Sequence, residues 1–294
     1  MTAVEKLGKR TGALALVAAV LVCFRTAIAQ GQEKDLDTPY VPTPQAVVDR
    51  MLDMAQVKKG DMVIDLGSGD GRIMITAVQR YGARGFGVEI DPRLVRRSND
   101  EAHRLGLAGR VKFLQQDLFN TDIGAANVLT LYLLPDVNLA LRPKILVQLK
   151  PGARVVSHDF GMGEWRPDAE ERVPAPDKTV GARKESMVYL WIVPARVEGE
   201  WILEIDTGGK PQRMELFLQQ RYQFVSGSVK PPGQDAVPFS DGRLRGDELR
   251  LVLPGGVLDR GPVELSGRIT GDSVGGTVRK ADRKDATWSA RRRS

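Results

Sequence analysis

The fold of this chain is decided by the stretch VIDLGSGDGR, residues 63–72. The apolar residues 62–66 predict a short buried strand, the glycines predict a tight turn, and residues 72–80 predict a helix. Glycine lets the backbone approach a ligand closely and adopt conformations that a side chain forbids. The start of a helix adds free N–H groups and a positive end, which suit a carboxylate as well as a phosphate. The stretch therefore predicts a ligand-binding turn, with a purely structural turn as the alternative.

Strands and helices alternate on both sides of this stretch. Upstream, Thr43 is the predicted N-cap of a helix that places Pro44 in its first position. Downstream, the patterns predict strands at 85–90, 111–114, 128–134 and 154–158, and helices that begin at Asp91 and cover 138–149. Such alternation predicts the α/β class, with a doubly wound, mostly parallel sheet.

The pattern changes near Pro194, after which the segments are short, β-rich and separated by glycine or aspartate turns. The predicted strands are 201–205, 213–218, 222–229, 249–253, 263–269, 273–278 and 287–291. Strands at this spacing are typical of a small antiparallel barrel or sandwich. We therefore predict a separate all-β domain over 195–294, after an α/β domain over 39–194.

The N-terminus has the pattern of a targeting segment. Three basic residues, Lys6, Lys9 and Arg10, precede the apolar stretch 13–24, and Ala27-Ile28-Ala29 follows it. This order predicts a signal peptide or membrane anchor over residues 1–29, with a linker over 30–38. The apolar stretch is short for a membrane span of ~20 residues. We expect an exported or inner-membrane-associated protein, with residues 11–29 as the membrane contact; on which side of the membrane the catalytic domain lies stays open.

Composition excludes several classes of function. The formal charge is +6, from 43 Lys and Arg against 37 Asp and Glu, and no basic stripe interleaved with aromatic residues accompanies it. Nucleic acid is therefore not an expected partner. A single cysteine, Cys23, and two histidines provide no disulfide within the chain and no cysteine- or histidine-rich metal site.

Three acidic residues follow three successive predicted strands. Asp65 ends the first strand, Glu89 ends the second, and Asp117 follows the third. Each acid alone is more often a helix cap or a solvated loop residue, but ligands bind at this edge of open α/β sheets. There Glu89 can bind two ribose hydroxyls, and Asp117 can hold an adenine amino group. A dinucleotide fingerprint fits less well, because position 72 is Arg72 where that pattern needs glycine or alanine.

In this order, the segments DLGSGDG (65–71), VEIDP (88–92) and QDLF (116–119) resemble the motif series of class I S-adenosylmethionine-dependent methyltransferases, which have a Rossmann-like fold. Three further segments narrow the resemblance: YVPT (40–43), YLLP (132–135), and ARVVS (153–157) leading to Trp165. Together they are similar to the family that contains the mitochondrial ATP-synthase c-subunit lysine methyltransferase and its bacterial relatives. The resemblance covers 39–194 and says nothing about 195–294.

The resemblance implies S-adenosylmethionine as the cofactor and assigns residues to it. Asp65 and Gly67 would border the amino acid part of the cofactor, in the glycine turn that also contains Gly69. Glu89 would bind the ribose. Four further residues are implied: Asp117 and Leu118 at the adenine, and Tyr40 and Thr43 closing over the site.

The methyl acceptor is less defined. The resemblance implies that Leu134, Pro135 and Asp136 face the substrate. The chain has Leu-Leu-Pro-Asp where many amino-methylating enzymes have Asp or Asn, Pro, Pro and an aromatic residue. His158, at the end of the fifth predicted strand, is a candidate base, although a structural role is the favoured interpretation.

The leading hypothesis is a methyltransferase that N-methylates a protein lysine or another amine. Two alternatives remain open. The first is methylation of a small molecule or a lipid head group, and the second is a non-catalytic cofactor-binding protein whose β domain binds an envelope ligand. The predicted export signal fits all three poorly, because S-adenosylmethionine is a cytoplasmic metabolite.

Overall fold

The structure is a computed structural model that describes residues 40–206, 211–258, 260–280 and 283–293. The predicted targeting segment 1–29 and linker 30–38 lie outside the described residues. Within the described ranges, no helix is both long enough and apolar enough to cross a membrane. Contacts group Tyr40–Ser294 into one compact unit.

The first part of this unit alternates helices and strands as the sequence predicts. In chain order the elements are α1 (Gln45–Met54), β1 (Met62–Leu66), α2 (Arg72–Tyr81), β2 (Arg84–Glu89), α3 (Pro92–Arg104), β3 (Val111–Gln115), a 3₁₀ turn (Leu118–Asn120), β4 (Val128–Leu131), α4 (Pro135–Gln148), β5 (Arg154–His158), β6 (Ala169–Pro174) and β7 (Glu185–Ile192).

These strands form one seven-stranded sheet in the order β3-β2-β1-β4-β5-β7-β6. The first five strands of that order are parallel, whereas β7 runs antiparallel to β5, and β6 runs antiparallel to β7. The doubly wound, mostly parallel sheet is thereby confirmed. The strand order reverses between β1 and β4, and open α/β sheets bind ligands in the crevice at such a point, beyond the carboxyl ends of the strands.

Burial and capping explain why these segments take these forms. All four residues of β4 are buried, as expected of a central parallel strand. The helix α1 buries one face, which consists of Val47, Val48, Met51 and Leu52. At the start of α3, the Asp91 carboxylate accepts a hydrogen bond from the Arg93 amide, and Pro92 occupies the first turn as predicted.

Several predicted boundaries were wrong. The strand β4 ends at Leu131 and not at residue 134, and α4 begins at Pro135 and not at residue 138. Proline is well suited to the first helical position, because no hydrogen bond is lost there. Thr43 does not cap α1: Pro44 occupies the N-cap position, and no side chain caps it. The antiparallel pair β6 and β7 was not predicted at all.

The second part is a closed antiparallel barrel, which decides between the barrel and the sandwich predicted for this region. Its strands are β8 (Gly199–Asp206), β9 (Gln212–Arg221), β10 (Phe224–Lys230), β11 (Val237–Arg245), β12 (Glu248–Leu253), β13 (Val263–Thr270), β14 (Ser273–Lys280) and β15 (Arg283–Arg292). The barrel closes through the pairing of β15 with β8. Only β11 was missed by the sequence patterns. Buried side chains such as Trp201, Leu216, Leu251 and Trp288 fill the interior, as is usual for an eight-stranded barrel.

Candidate functional site

The glycine turn after β1 has the conformation that its sequence predicts. Gly67, Gly69 and Gly71 all have positive φ angles, of 75°, 54° and 79°. A Cβ atom at Gly67 would lie 2.8 Å from Leu133 Cδ2, and one at Gly69 would lie 2.7 Å from Tyr40 Cε2. Both conformation and space therefore require glycine at these positions.

Asp65 lies beneath the turn with an unusual environment for a carboxylate. Its side chain is buried, and Oδ1 accepts a 2.6 Å hydrogen bond from the Thr130 hydroxyl. Oδ2 has no hydrogen-bond partner in the described part of the chain, and the same is true of the buried Ser68 hydroxyl. Burial raises the pKa of Asp65 to about 7, while the Thr130 hydrogen bond acts in the opposite direction. Three further buried atoms in the described residues also lack a partner: Asn138 Oδ1, Trp165 Nε1 and Gln223 Oε1. Asp65 Oδ2 and the Ser68 hydroxyl are distinguished by their place at the glycine turn, where they are available to a polar ligand group.

Glu89 ties the glycine turn to the end of β2. Its Oε2 accepts a 2.9 Å hydrogen bond from the Gly69 amide. Its Oε1 accepts hydrogen bonds of 2.8 Å from the Ile90 amide and 3.1 Å from the Asp91 amide. A carboxylate has about four acceptor positions, so about one remains for a ligand hydroxyl group.

Asp117 and Leu118 follow β3 at the same edge of the sheet. The Asp117 carboxylate is exposed and caps the 3₁₀ turn, accepting hydrogen bonds from the Phe119 amide at 2.7 Å and the Asn120 side chain at 3.1 Å. Leu118 is half-buried against the core cluster beneath β4. The structure thus brings both residues to the predicted edge.

Residues 40–43 cross this edge from β1 to β5. The Tyr40 ring covers Gly69, and the Thr43 hydroxyl lies 3.3 Å from His158 Nδ1. Burial and the neighbouring Asp70 carboxylate raise the pKa of Tyr40. The segment therefore lies over the glycine turn, where the sequence places the two closing residues.

Arg72 fixes this segment to the glycine turn. Its guanidinium donates 2.9 and 2.6 Å hydrogen bonds to the two Asp70 oxygens and a 2.8 Å hydrogen bond to the Thr43 carbonyl. Burial alone would raise the pKa of Asp70, but the Arg72 guanidinium outweighs it and holds that pKa below its usual range. The turn and the covering segment are thus held in one geometry.

His158 is enclosed at the carboxyl end of β5. It is fully buried, its Nε2 lies 2.8 Å from the Ser186 hydroxyl, and its ring stacks on Tyr132 with 3.8 Å between centroids. Burial lowers the pKa of His158 to about 4, although the adjacent Asp159 acts in the opposite direction. Nδ1 faces the Thr43 hydroxyl, and Nε2 faces both the Ser186 hydroxyl and, at 3.4 Å, Asp159 Oδ2. Both nitrogens therefore have partners within the protein, and the lowered pKa keeps the ring neutral at pH 7, so the arrangement favours the structural interpretation over a general base.

The predicted acceptor-facing residues lie beyond β4. Pro135 opens α4, Asp136 is the acid in its first turn, and both are exposed, as is Leu134 before them. Tyr132 lies between these residues and β4, and its ring stacks near Phe160 with 6.4 Å between centroids. Burial raises the pKa of Tyr132 to about 12.

The sequence analysis missed several residues that shape this edge: Thr130, Tyr132, Phe160 and Ser186. Thr130 had a usable signal, because it is the one hydroxyl residue in an otherwise apolar strand. Ser186 had none, since it belongs to β7, a strand that the patterns did not predict. Within the described residues, no cluster of three or more His, Cys, Asp or Glu side chains has the arrangement of a metal site.

The known proteins that this chain resembles are methyltransferases. The chain matches the family model described as the ANTKMT methyltransferase domain over residues 65–169. It is 41% identical over 156 residues to a protein-lysine N-methyltransferase of Saccharolobus islandicus, which covers 53% of this chain and 93% of that protein. It is 35% identical over 157 residues to the ATP-synthase c-subunit lysine N-methyltransferase of Rattus norvegicus, covering 53% of this chain and 70% of the rat protein. One similar solved structure is an RNA methyltransferase from Salinibacter ruber in complex with S-adenosyl-L-homocysteine, which is 50% identical in sequence. The match covers 53% of the present protein and 96% of the Salinibacter chain, with a TM-score of 0.48.

Proposed function

We infer that this chain, which belongs to the S-adenosylmethionine-dependent methyltransferase family of the protein-lysine N-methyltransferases, methylates the side-chain amino group of a lysine in a protein. The observation that carries the lysine acceptor is the 41% identity to a protein-lysine N-methyltransferase over 93% of its length. The geometry of the carboxyl edge of the sheet supports the same conclusion.

The residues at this edge fit the cofactor. Asp65 Oδ2 and the Ser68 hydroxyl, which have no partner among the described residues, lie at the glycine turn, where the amino acid part of S-adenosylmethionine requires polar partners. We assign this part to Asp65, Gly67 and Gly69, and the ribose hydroxyls to Glu89. The remaining assignments are Asp117 and Leu118 to the adenine, and Tyr40 and Thr43 to the cover of the site. When bound, the cofactor supplies an electrophilic methyl group on a sulfonium centre.

The acceptor side of the cleft suits a lysine side chain. A free lysine amine has a pKa near 10.4 and must lose its proton before it can attack a methyl group. Apolar and aromatic surroundings disfavour the ammonium form. Tyr132, Phe160 and Leu133 form such surroundings at the ends of β4 and β5. Tyr132 adds no charge to them, because tyrosine is neutral at pH 7 and burial raises its pKa further, to about 12. Holding the amine in line with the methyl group then provides much of the rate.

Methyl transfer from labelled S-adenosylmethionine to fractionated cell extract tests this function. We expect label in protein, and methylated lysine after acid hydrolysis of the labelled species, as identified by mass spectrometry. Glu89→Ala is the matched control, because weaker cofactor binding should strongly reduce transfer at a low concentration of S-adenosylmethionine without changing the extract. Label recovered in the lipid or small-molecule fraction, with none in protein, would instead support the alternative acceptors.

The location of the protein is proposed from its sequence alone. The basic residues before the apolar stretch 13–24 support targeting of the chain to the inner membrane by residues 1–29. N-terminal sequencing of the native protein, with protease accessibility on intact spheroplasts, tests both targeting and cleavage. A soluble cytoplasmic product that begins at Met1 would contradict the proposal.

A further inference from the structure

We propose that Tyr222, a residue of the barrel, positions the wall of the methyl-acceptor site. The proposal rests on the proposed function, in which the acceptor enters at the ends of β4 and β5. It assigns to the barrel a role in the reaction, carried through the segment 159–168 that connects β5 to β6.

Tyr222 lies in a two-residue turn between β9 and β10 and has a strained backbone. Its φ angle is +56°, which is uncommon for a residue with a large side chain. A two-residue hairpin turn requires a positive φ angle at its first residue, so the turn fixes the direction in which the Tyr222 side chain leaves the barrel. Tyr222 is one of three non-glycine residues with positive φ in the described chain, with Gln56 and Asp159.

The turn packs against the second half of the segment 159–168 and is hydrogen-bonded to it. The Tyr222 ring stacks on Trp165, with 6.1 Å between centroids and 13° between planes. The next residue, Gln223, is fully buried, and its side-chain amide donates a 2.7 Å hydrogen bond to the Arg166 carbonyl. Trp165 is itself fully buried, so the segment has little freedom at this point.

The first half of the same segment builds the acceptor side of the cleft. The Phe160 carbonyl accepts hydrogen bonds from the Ser157 hydroxyl at 2.7 Å and from the Asn138 side chain at 3.2 Å. The Phe160 ring stacks near Tyr132, which follows β4. Displacement of Trp165 would therefore be transmitted to the aromatic wall only five residues earlier in the chain.

A second route runs through α4, the helix that begins at Pro135 and Asp136. Arg142 on this helix places its guanidinium carbon 5.5 Å from the centre of the Tyr222 ring. The same guanidinium donates a 2.9 Å hydrogen bond to the Met162 carbonyl in the segment 159–168. Tyr222 thus contacts both elements that carry the proposed acceptor-facing residues.

The test compares the full-length protein with Tyr222→Ala and Tyr222→Phe. A second disrupting variant, Arg142→Met, serves if Tyr222→Ala does not fold. The control is Phe217→Ala, which removes an aromatic side chain of the barrel that is 42% exposed. Three quantities are measured: the KM and kcat for poly-L-lysine at saturating S-adenosylmethionine, the Kd of S-adenosylhomocysteine, and hydrogen exchange in residues 159–168.

We expect Tyr222→Ala to raise the KM for poly-L-lysine by about tenfold, because small misplacements of positioning groups are costly. The Kd of S-adenosylhomocysteine should stay unchanged, and exchange should accelerate in 159–168 but not in 65–71. Tyr222→Phe and Phe217→Ala should behave like the wild type. An unchanged KM with unchanged exchange in Tyr222→Ala and Arg142→Met would overturn the proposal. If the wild type does not methylate poly-L-lysine, that result counts against this polymer as an acceptor. The KM comparison is then made with the species labelled in the extract assay, so that failure of the proposed function and failure of the role of Tyr222 stay distinguishable.

Discussion

Two buried aspartates stand at opposite ends of β1, and their surroundings differ completely. Asp61 precedes the strand, and its Oδ2 accepts 3.0 Å hydrogen bonds from both the Lys58 amide and the Arg154 guanidinium. Asp65 is the fourth residue of the strand, and its Oδ2 has no partner in the described residues. One carboxylate is paired with a charge, whereas the other is held with unused hydrogen-bonding capacity.

The same contrast extends along the two edges of the sheet. At the amino edge, the Arg154 guanidinium also donates to the Ala55 and Gln56 carbonyls, and the Met62 amide donates to the Asn127 side chain. At the carboxyl edge lie the left-handed glycines, the covering Tyr40 ring and the Ser68 hydroxyl, which has no partner among the described residues. The amino edge is thus closed by an ion pair and by hydrogen bonds to the backbone, whereas the carboxyl edge keeps two buried polar atoms with hydrogen-bonding capacity to spare.

The largest effect is expected at the amino edge. Arg154→Met leaves Asp61 buried without its charged partner, which should lower the free energy of unfolding by about 3 kcal/mol. Chemical denaturation measures this loss, and S-adenosylhomocysteine should still bind the folded fraction with wild-type affinity. Arg104→Met, which breaks an exposed ion pair with Glu101, is the control and should change stability little. Comparable losses in the two variants would remove the distinction between the edges.

At the carboxyl edge, Glu89→Ala should weaken S-adenosylhomocysteine binding about ten- to a hundredfold. Charge-assisted hydrogen bonds to the ribose are worth ~1.5–3 kcal/mol, and the tether to the Gly69 amide is lost as well. Calorimetric titration measures the change, with Glu101→Ala as a surface control. Wild-type affinity in Glu89→Ala would exclude this residue from the site.

Asp65→Asn should separate stability from binding at a single position. In the folded protein the pKa of Asp65 is about 7, whereas in the unfolded chain it has its ordinary value of 3.8. Between these two values the folded state binds the proton more tightly. The stability of the wild type therefore falls relative to that of the variant as the pH rises from about 4 to about 7. At pH 8 we expect the variant to have a higher Tm than the wild type, by about 2–4 °C for each ~1 kcal/mol gained in the free energy of unfolding. We also expect it to bind S-adenosylhomocysteine more weakly. Melting curves at pH 5 and pH 8 check the first part. If the variant is no more stable than the wild type at pH 8, burial of the ionised Asp65 side chain does not destabilise the folded protein.

The smallest effect is expected for His158→Gln, which retains hydrogen-bonding capacity toward Thr43 and Ser186. The folded pKa of His158 is about 4 against an ordinary 6.5, so wild-type stability falls relative to the variant as pH drops through this interval. This slope is opposite in sign to that of Asp65, so the two variants can be told apart in overlapping pH ranges. The rate profile between pH 5 and pH 9 should keep its shape. A general base acts in its unprotonated form, so loss of the acid limb of this profile in His158→Gln would restore the general-base interpretation.

The central part of the fold was predictable from local pattern. The bounds of β1 and β5 match the predicted ones, because short apolar runs bordered by turn residues leave few alternatives. Of the strands that were missed, β7 does contain an apolar run, at 187–192, which was overlooked, whereas β6 and β11 lack such a pattern. Most residues of β6 are exposed, and β11 contains Pro238 and Gly242 within the strand. Neither the reversal of chain direction at β7 nor its pairing with β5 follows from a local pattern.

For the candidate site, the positions of the acidic residues could be predicted from the sequence, but their hydrogen-bond partners could not. Parallel strands bring their carboxyl ends to one edge, which is why Asp65, Glu89 and Asp117 were expected together. The burial and hydrogen bonding of each side chain were not predictable, because they depend on residues that are distant in the chain. His158 is enclosed by Thr43, 115 residues earlier, and by Ser186 on an unpredicted strand. The unpaired oxygen of Asp65 depends likewise on how Thr130 packs across from β4.

A crystal structure with S-adenosylhomocysteine tests the central claim most directly. We expect the ligand to bind at the carboxyl edge of the sheet, with its ribose hydroxyls hydrogen-bonded to Glu89 and its amino acid part beside Asp65. No ligand should lie at the Asp61 edge or within the barrel. A ligand bound elsewhere, or one whose ribose faces away from Glu89, would contradict the account.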